Sequence, residues 1–209
     1  GEMPYFCRAL SVHGAKVYGL SDVPYDALPP LTKEHLSGYL QVPNFTDEEA
    51  IVRQVVQSVG SHSIDRVVCM WEPGVLLAAK LREALGVAGQ GVEQATIFRN
   101  KDLMKQVITK AGLRTARHAS ARSIAEVKAA AEQIGFPIIV KPIAGAGSMD
   151  TFRAGSMAEL EAELAKVTTY DEVNVEEFIE GDEYTYDTIC IKGEVQYANV
   201  CFYRADPLI

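Results

Sequence analysis

Lys141 closes the apolar run Phe136-Pro137-Ile138-Ile139-Val140 and is followed by Pro142 and a glycine-bearing loop, Ile143-Ala144-Gly145-Ala146-Gly147-Ser148-Met149-Asp150. An ammonium group at the end of a buried strand must reach water or meet an anion. Glycines beyond it tolerate positive φ and leave backbone N–H groups free to face that anion. The pattern therefore suits a phosphate, although the loop by itself serves equally well as a plain hairpin tip. Two other phosphate loops are excluded. A P-loop places its lysine after the glycines, and here the lysine precedes them. A dinucleotide turn needs a third glycine at position 150, which is Asp150. The segment after the loop, Thr151-Phe152-Arg153-Ala154, is short and β-prone. The loop is thus expected at the tip of a β-hairpin.

Lys101 follows Asn100, a helix-capping residue type, and so falls in the first turn of a helix. A cation there opposes the helix dipole unless lysine and helix terminus face the same anion. A solvated surface lysine explains the residue as well. The acidic run Val175-Glu176-Glu177-Phe178-Ile179-Glu180-Gly181-Asp182-Glu183 adjoins an extended segment. An extended backbone offers one C=O and one N–H to a nucleobase edge, and a carboxylate a few residues later can accept ribose hydroxyls. Glu72 follows the strand-like run Val67 to Trp71, where an α/β sheet presents its ligand crevice. Helix N-capping competes for that residue. His13, His35, His62 and His118 have no partner spacing for catalysis or metal binding.

These residues must be carried by alternating elements. A helix is expected over Pro4 to His13 and a strand over Ala15 to Leu20. A Pro-rich connection leads to a helix from Thr46 to Gly60, opened by a Thr46/Glu49 capping box. Its apolar face is Ile51, Val52, Val55, Val56 and Val59. Asp65 to Trp71 reads as the next strand. Pro73 opens a helix whose stripe is Val75, Leu76, Ala79 and Leu85. Alternating strands and helices imply a parallel sheet covered on both faces. Further on, Asn100 caps a helix with inner face Leu103, Met104, Val107, Ile108 and Ala111. Ser123/Glu126 and Ser156/Glu159 are two more capping boxes, and Tyr184 to Ile191 turns at Lys192-Gly193 into Val195 to Tyr203.

A formal net charge of -8 without a basic block argues against nucleic acid as partner. No apolar run is long enough to span a membrane and no signal peptide is visible. Cys7, Cys69, Cys190 and Cys201 form no C-x-x-C pair, and three of them lie in apolar β-like runs that suggest buried thiols. A cytoplasmic protein is the expectation, and both ends read as cut.

In order and spacing, Asn100-Lys101-Asp102-Leu103-Met104-Lys105, Ala111-Gly112-Leu113, Ile138-Ile139-Val140-Lys141-Pro142, the glycine loop and Val175-Glu176-Glu177-Phe178-Ile179 resemble the ATP-grasp superfamily of carboxylate–amine ligases. Carbamoyl-phosphate synthases, D-alanine ligases and biotin carboxylases share this pattern. The resemblance implies an α/β fold, α+β overall. A Rossmann-like pre-ATP-grasp domain over 1–93, its first strand missing, would precede the N-terminal portion of an ATP-grasp domain, with its lid subdomain, over 94–209. It implies that Lys101 and Lys141 contact ATP phosphates and that Gly145, Ala146, Gly147 and Ser148 form a lid. Glu176 would lie beside the adenine amino group, the Glu177 carbonyl and Ile179 amide would bind the base across Phe178, and Glu183 would bind ribose. Glu72 would face a substrate. ATP phosphorylates a carboxylate in such enzymes, and an amine or thiol attacks the acyl phosphate. Mg²⁺ is expected in the complete protein, with no metal ligand in this chain, so the fragment alone would not catalyse. Small-molecule carboxylate and amine partners and a homodimer are implied. The alternative is a non-catalytic nucleotide-sensing module of the same fold.

Overall fold

Two stretches of the chain fold around separate cores in the computed structural model, Gly1–Thr96 and Ile97–Ile209. The structure describes residues 3–142, 151–167 and 171–203. Helix and strand mix throughout, as expected for an α/β chain.

The first stretch runs α1 (Pro4–Val12), β1 (Tyr18–Ser21), α2 (Pro30–His35), β2 (Gly38–Gln41), α3 (Glu48–Val59), α4 (Val75–Leu85) and α5 (Val92–Arg99), which crosses into the second. β1 and β2 pair in parallel from Tyr18↔Gly38 to Ser21↔Gln41. Two glycines permit this pairing. A Cβ on Gly19 would lie 2.9 Å from the Tyr39 ring, and one on Gly38 would lie 2.9 Å from the Tyr18 ring. The core gathers Val42, Ile51, Leu77 and Leu81, with Leu20, Phe45, Val52, Val55 and Val67 against it.

Several expectations are corrected here. β2 and α2 replace part of the connection read as irregular; both are too short for their periodicity to show. The cap of α3 is Asp47, whose carboxylate accepts the Ala50 N–H at 2.9 Å. Thr46 lies one residue before the cap and turns its N–H and hydroxyl to Asn44 Oδ1. Asp65 to Trp71 has no ladder partner among the described residues. Its Val67 carbonyl instead accepts from Arg82 Nε at 2.9 Å, and Val68 and Met70 are exposed. In α4 the inward residues are Leu77, Ala78, Ala79 and Leu81, one step round from the expected stripe. Cys7 and Cys69 are only partly buried and Cys190 and Cys201 are exposed, so none is the buried thiol that was expected.

The second stretch contains α6 (Lys101–Lys110), β3 (His118–Ala121), α7 (Ile124–Ile134), β4 (Ile138–Pro142), β5 (Phe152–Ala154), α8 (Met157–Val167), β6 (Val173–Glu177), β7 (Tyr184–Ile191) and β8 (Glu194–Phe202). β3, β6, β4 and β5 form one antiparallel sheet in that order. β4 pairs directly with β5, Val140 opposite Phe152, so the strands flanking the glycine loop make a hairpin and not a strand–helix turn. The loop residues Gly145, Ala146, Gly147 and Ser148 lie outside the described residues.

One face of this sheet is apolar. Ile138, Val140, Val173, Val175, Phe152 and Ala154 pack under Val127, Ala131 and Ile134 of α7 and Leu160 and Leu164 of α8. Fully burying a side chain the size of Ile138 or Leu160 stabilises by roughly 1.5–3 kcal/mol. Both serines cap their helices as expected, but the return bond of each box falls one residue before the serine. Ser123 and Ser156 accept the N–H of Glu126 and Glu159, and each glutamate reaches back to the N–H of the residue before its serine, Arg122 or Gly155. β7 and β8 turn at Lys192 and Gly193, with φ of 54° and 83°, the positive pair a two-residue hairpin demands. No helix among the described residues is long and apolar enough to cross a membrane.

Candidate functional site

Alternate residues of the same strands build the opposite, polar face of that sheet. Lys141 stands opposite Asn174, and Ile139 opposite Glu176, across β4 and β6. On the other side of β6, His118 stands opposite Glu176 and Ser120 opposite Asn174. Helix α6 supplies the cations that meet this face. Its start is fixed by Asn100, whose side-chain oxygen accepts the N–H groups of Asp102 and Leu103 at 3.0 Å each. Asp102 then meets His118 at 3.3 Å, and Lys105 reaches Glu176. The buried side of α6 therefore carries Lys105, while Leu103 and Val107, expected inside, are exposed. Lys105 shares the inward side of the helix with the half-buried Met104 and Ile108.

Glu176 is the hub. One carboxylate oxygen pairs with Lys105 and the other with Lys141. Among the described residues no further hydrogen bond reaches Lys105 Nζ or Glu176 Oε2. Burial pushes both ammonium groups down to about 8. Repulsion adds to it, from Lys141 and Lys101 at Lys105 and from Lys101 at Lys141. Lys101 is thus near enough to feel both. Two lysines share one carboxylate, Lys101 adds its charge to both, and Asp102 partly offsets the repulsion at Lys105. The excess is cationic, which suits a phosphate. Asn174, opposite Lys141, is fully buried, and its amide has no hydrogen-bond partner among the described residues.

At the end of β6 the backbone becomes an open edge. Glu177 N–H donates to the Arg117 carbonyl at 2.8 Å, and Phe178 N–H to the Pro137 carbonyl at 3.0 Å. A reciprocal ladder bond would run from Arg117 N–H to the Glu177 carbonyl. Instead Arg117 N–H donates to Glu177 Oε2 at 3.1 Å. That bond, followed by the charges of Arg114 and Arg117, holds the Glu177 carboxyl below the usual carboxylate range. The Glu177 carbonyl and Ile179 N–H are left without a backbone partner among the described residues. They are two residues apart, one acceptor and one donor. Arg153 lies over the Phe178 ring, 4.7 Å from its centroid.

The structure thus gathers Lys101, Lys141 and Glu176 at one end of the second unit's sheet, with Glu177, Phe178 and Ile179 running on from Glu176. Glu183 sits before β7, exposed, its carbonyl accepting Tyr203 N–H at 2.9 Å. Glu72 lies in the other unit, exposed, in a 3₁₀ turn over Glu72–Gly74. It does not cap α4, whose cap position is Gly74. Lys105 and Asn174 were missed. Lys105 follows Lys101 by one helical turn and so shares its face, a spacing that could have revealed it. Among the described residues no group of three or more His, Cys, Asp or Glu could hold a metal ion.

Residues 103–201 match the family model described as D-ala D-ala ligase C-terminus. The chain is 29% identical over 177 residues to an L-arginine-specific L-amino acid ligase of Bacillus subtilis, an overlap of 80% of this chain and 42% of that protein. It is 34% identical over 149 residues to a D-alanine–D-alanine ligase of Stutzerimonas stutzeri (strain A1501), covering 68% of this chain and 46% of the relative. The crystal structure of an L-amino acid ligase from Bacillus licheniformis superposes with a TM-score of 0.79 at 26% identity, over 96% of this chain and 48% of that one. The chain spans less than half the length of each of these proteins. With its strand lysine, its helix lysines and the sheet that joins them, this chain belongs to the ATP-grasp superfamily.

Proposed function

We propose that the chain is the nucleotide-holding portion of an ATP-dependent ligase that joins a carboxylate to an amine through an acyl phosphate. The observation that carries this reading is the pairing of a three-lysine cluster with an open backbone edge at the end of β6. Lys101 and Lys141 would receive phosphate oxygens. The Glu177 carbonyl and Ile179 N–H match the amino group and ring nitrogen of adenine, with Phe178 between them and Glu176 beside the base. Glu183 would take the ribose, and Gly145, Ala146, Gly147 and Ser148 would cover the phosphates. Residues 1–93 would form the pre-ATP-grasp domain and 94–209 the start of the ATP-grasp domain, with Glu72 toward a substrate.

Bound ATP supplies an activated phosphoryl group. This chain's own residues bind and orient it: ammonium groups neutralise charge on the phosphates, and the edge of β6 fixes the base. Magnesium does not fit the acids of this face, because Glu176 and Glu177 pair with lysine and arginine side chains and Asp102 stands 3.3 Å from the His118 ring. A metal ion accompanying the nucleotide would need other ligands. The amino-acid ligases among the relatives support an amino acid as the carboxylate substrate.

Calorimetric titration with ADP tests the reading. Removing a charge-assisted contact worth about 1.5–3 kcal/mol weakens binding roughly 10- to 100-fold in Lys141→Ala. Equal affinity in the parent protein and Lys141→Ala would show the site is elsewhere.

A further inference from the structure

Lys105 is a buried ammonium whose described contact is the Glu176 carboxylate, and Glu176 is also held by Lys141. The two lysines are not equivalent. Lys105 is more deeply buried, with 9% of its side chain exposed against 23% for Lys141. It projects from a helix locked at its start by Asn100. Lys141 stands at the end of β4 next to the glycine loop. If Lys141 turns to a phosphate, Glu176 loses one of its two counter-charges. A buried carboxylate stripped of every partner is destabilised by several kcal/mol, so Lys141 is free to leave only if another cation stays.

Building on the nucleotide reading above, we infer that Lys105 is a positioning residue: the fixed counter-charge that keeps Glu176 paired and in place while Lys141 exchanges Glu176 for a nucleotide phosphate. The other titratable groups facing this cluster among the described residues are Lys101 and Asp102 on α6 and His118 on β3. Asp102 is engaged by His118. It attracts Lys105 without substituting for it at Glu176.

Two measurements decide it. The first needs no nucleotide: acylation of Lys141 by sulfosuccinimidyl acetate at pH 8, followed by peptide mass spectrometry. In Lys105→Met, Glu176 is left to Lys141 alone, so Lys141 holds its proton more firmly. A rise of one unit from about 8 cuts the reactive neutral fraction roughly fivefold. An unchanged or faster rate overturns the inference whatever the protein binds. The second compares ADP with adenosine. Lys105→Met should lower the ratio of ADP to adenosine affinity about tenfold, because only the phosphate draws Lys141 away from Glu176. Lys105→Arg should recover part of that ratio. Lys105→Met/Glu176→Gln, which has no buried carboxylate to compensate, should recover most of it. A lysine serving the fold alone would weaken ADP and adenosine equally and gain nothing from the second substitution. Failure of the parent protein to bind ADP would count against the nucleotide reading, and the acylation rate would still judge Lys105.

Discussion

Replacing Asn174 by valine should stabilise the protein. Asn174 is fully buried on β6, flanked by Lys141 on β4 and Ser120 on β3, and neither atom of its amide group is hydrogen-bonded among the described residues. A buried polar group left unpaired costs about 1–3 kcal/mol. Valine removes both polar atoms, suits a central strand, and is near enough in size to limit overpacking. The expected gain is about 1–2 kcal/mol. For a chain of this length each kcal/mol moves the midpoint by roughly 2–4 °C, so Tm should rise by about 2–8 °C. Urea titration followed by circular dichroism, without nucleotide, measures the free energy, and a calorimetric scan measures Tm. A midpoint equal to or below that of the parent protein, at an unchanged denaturant slope, would refute the reasoning. It would mean that the amide is satisfied in solution, by water or by a neighbouring side chain.

Two further outcomes follow from the site's frame. Asn100→Ala removes the acceptor of two amide bonds at the start of α6. It should cost about 1 kcal/mol, read as a fall in the urea midpoint; no change would mean that α6 does not rely on that cap. The second concerns pH. Lys105 and Lys141 sit near 8 in the folded chain against 10.5 when free, so between those values the unfolded chain binds more protons. Stability contributed by these groups therefore rises with pH from about 8 to 10.5. Comparing urea midpoints at pH 8, 9 and 10 in the parent protein and Lys105→Met should show a shallower rise in the variant, and parallel curves would contradict it.

The second unit was more legible in the sequence than the first, and the reason is local. Ser123, Ser156 and Asn100 announce their helices with side chains that bond to the backbone a few residues on, so the signal and the structure lie in the same short window. Lys192-Gly193 likewise sets its own turn. Asp65 to Trp71 looked like a strand because Val67 and Val68 are β-branched, but a strand needs a neighbour, and no neighbour is written in the segment itself. The site divides in the same way. Lys141 was visible because a charge ends an apolar run. Lys105 carried only its one-turn spacing from Lys101, since its partner Glu176 lies 71 positions later in the chain. Asn174 lies in the alternating run Val173-Asn174-Val175-Glu176, where its parity marks it as polar-facing but says nothing of how deeply the neighbouring strands bury it.

The sheet of the second unit has a consequence for how such a protein can change over time. Along β6, Val173 and Val175 face the core while Asn174 and Glu176 face the cations. Adherence of the fold and chemistry of the ligand are therefore inherited on interleaved letters of one short word. A substitution at one parity can retune what is bound with little disturbance of packing, and one at the other parity can harden or soften the core with little effect on the charges. Insertion or deletion of one residue has no such freedom, since it exchanges the two sets at once. Lineages carrying this strand are free to vary by replacement but are held to its length.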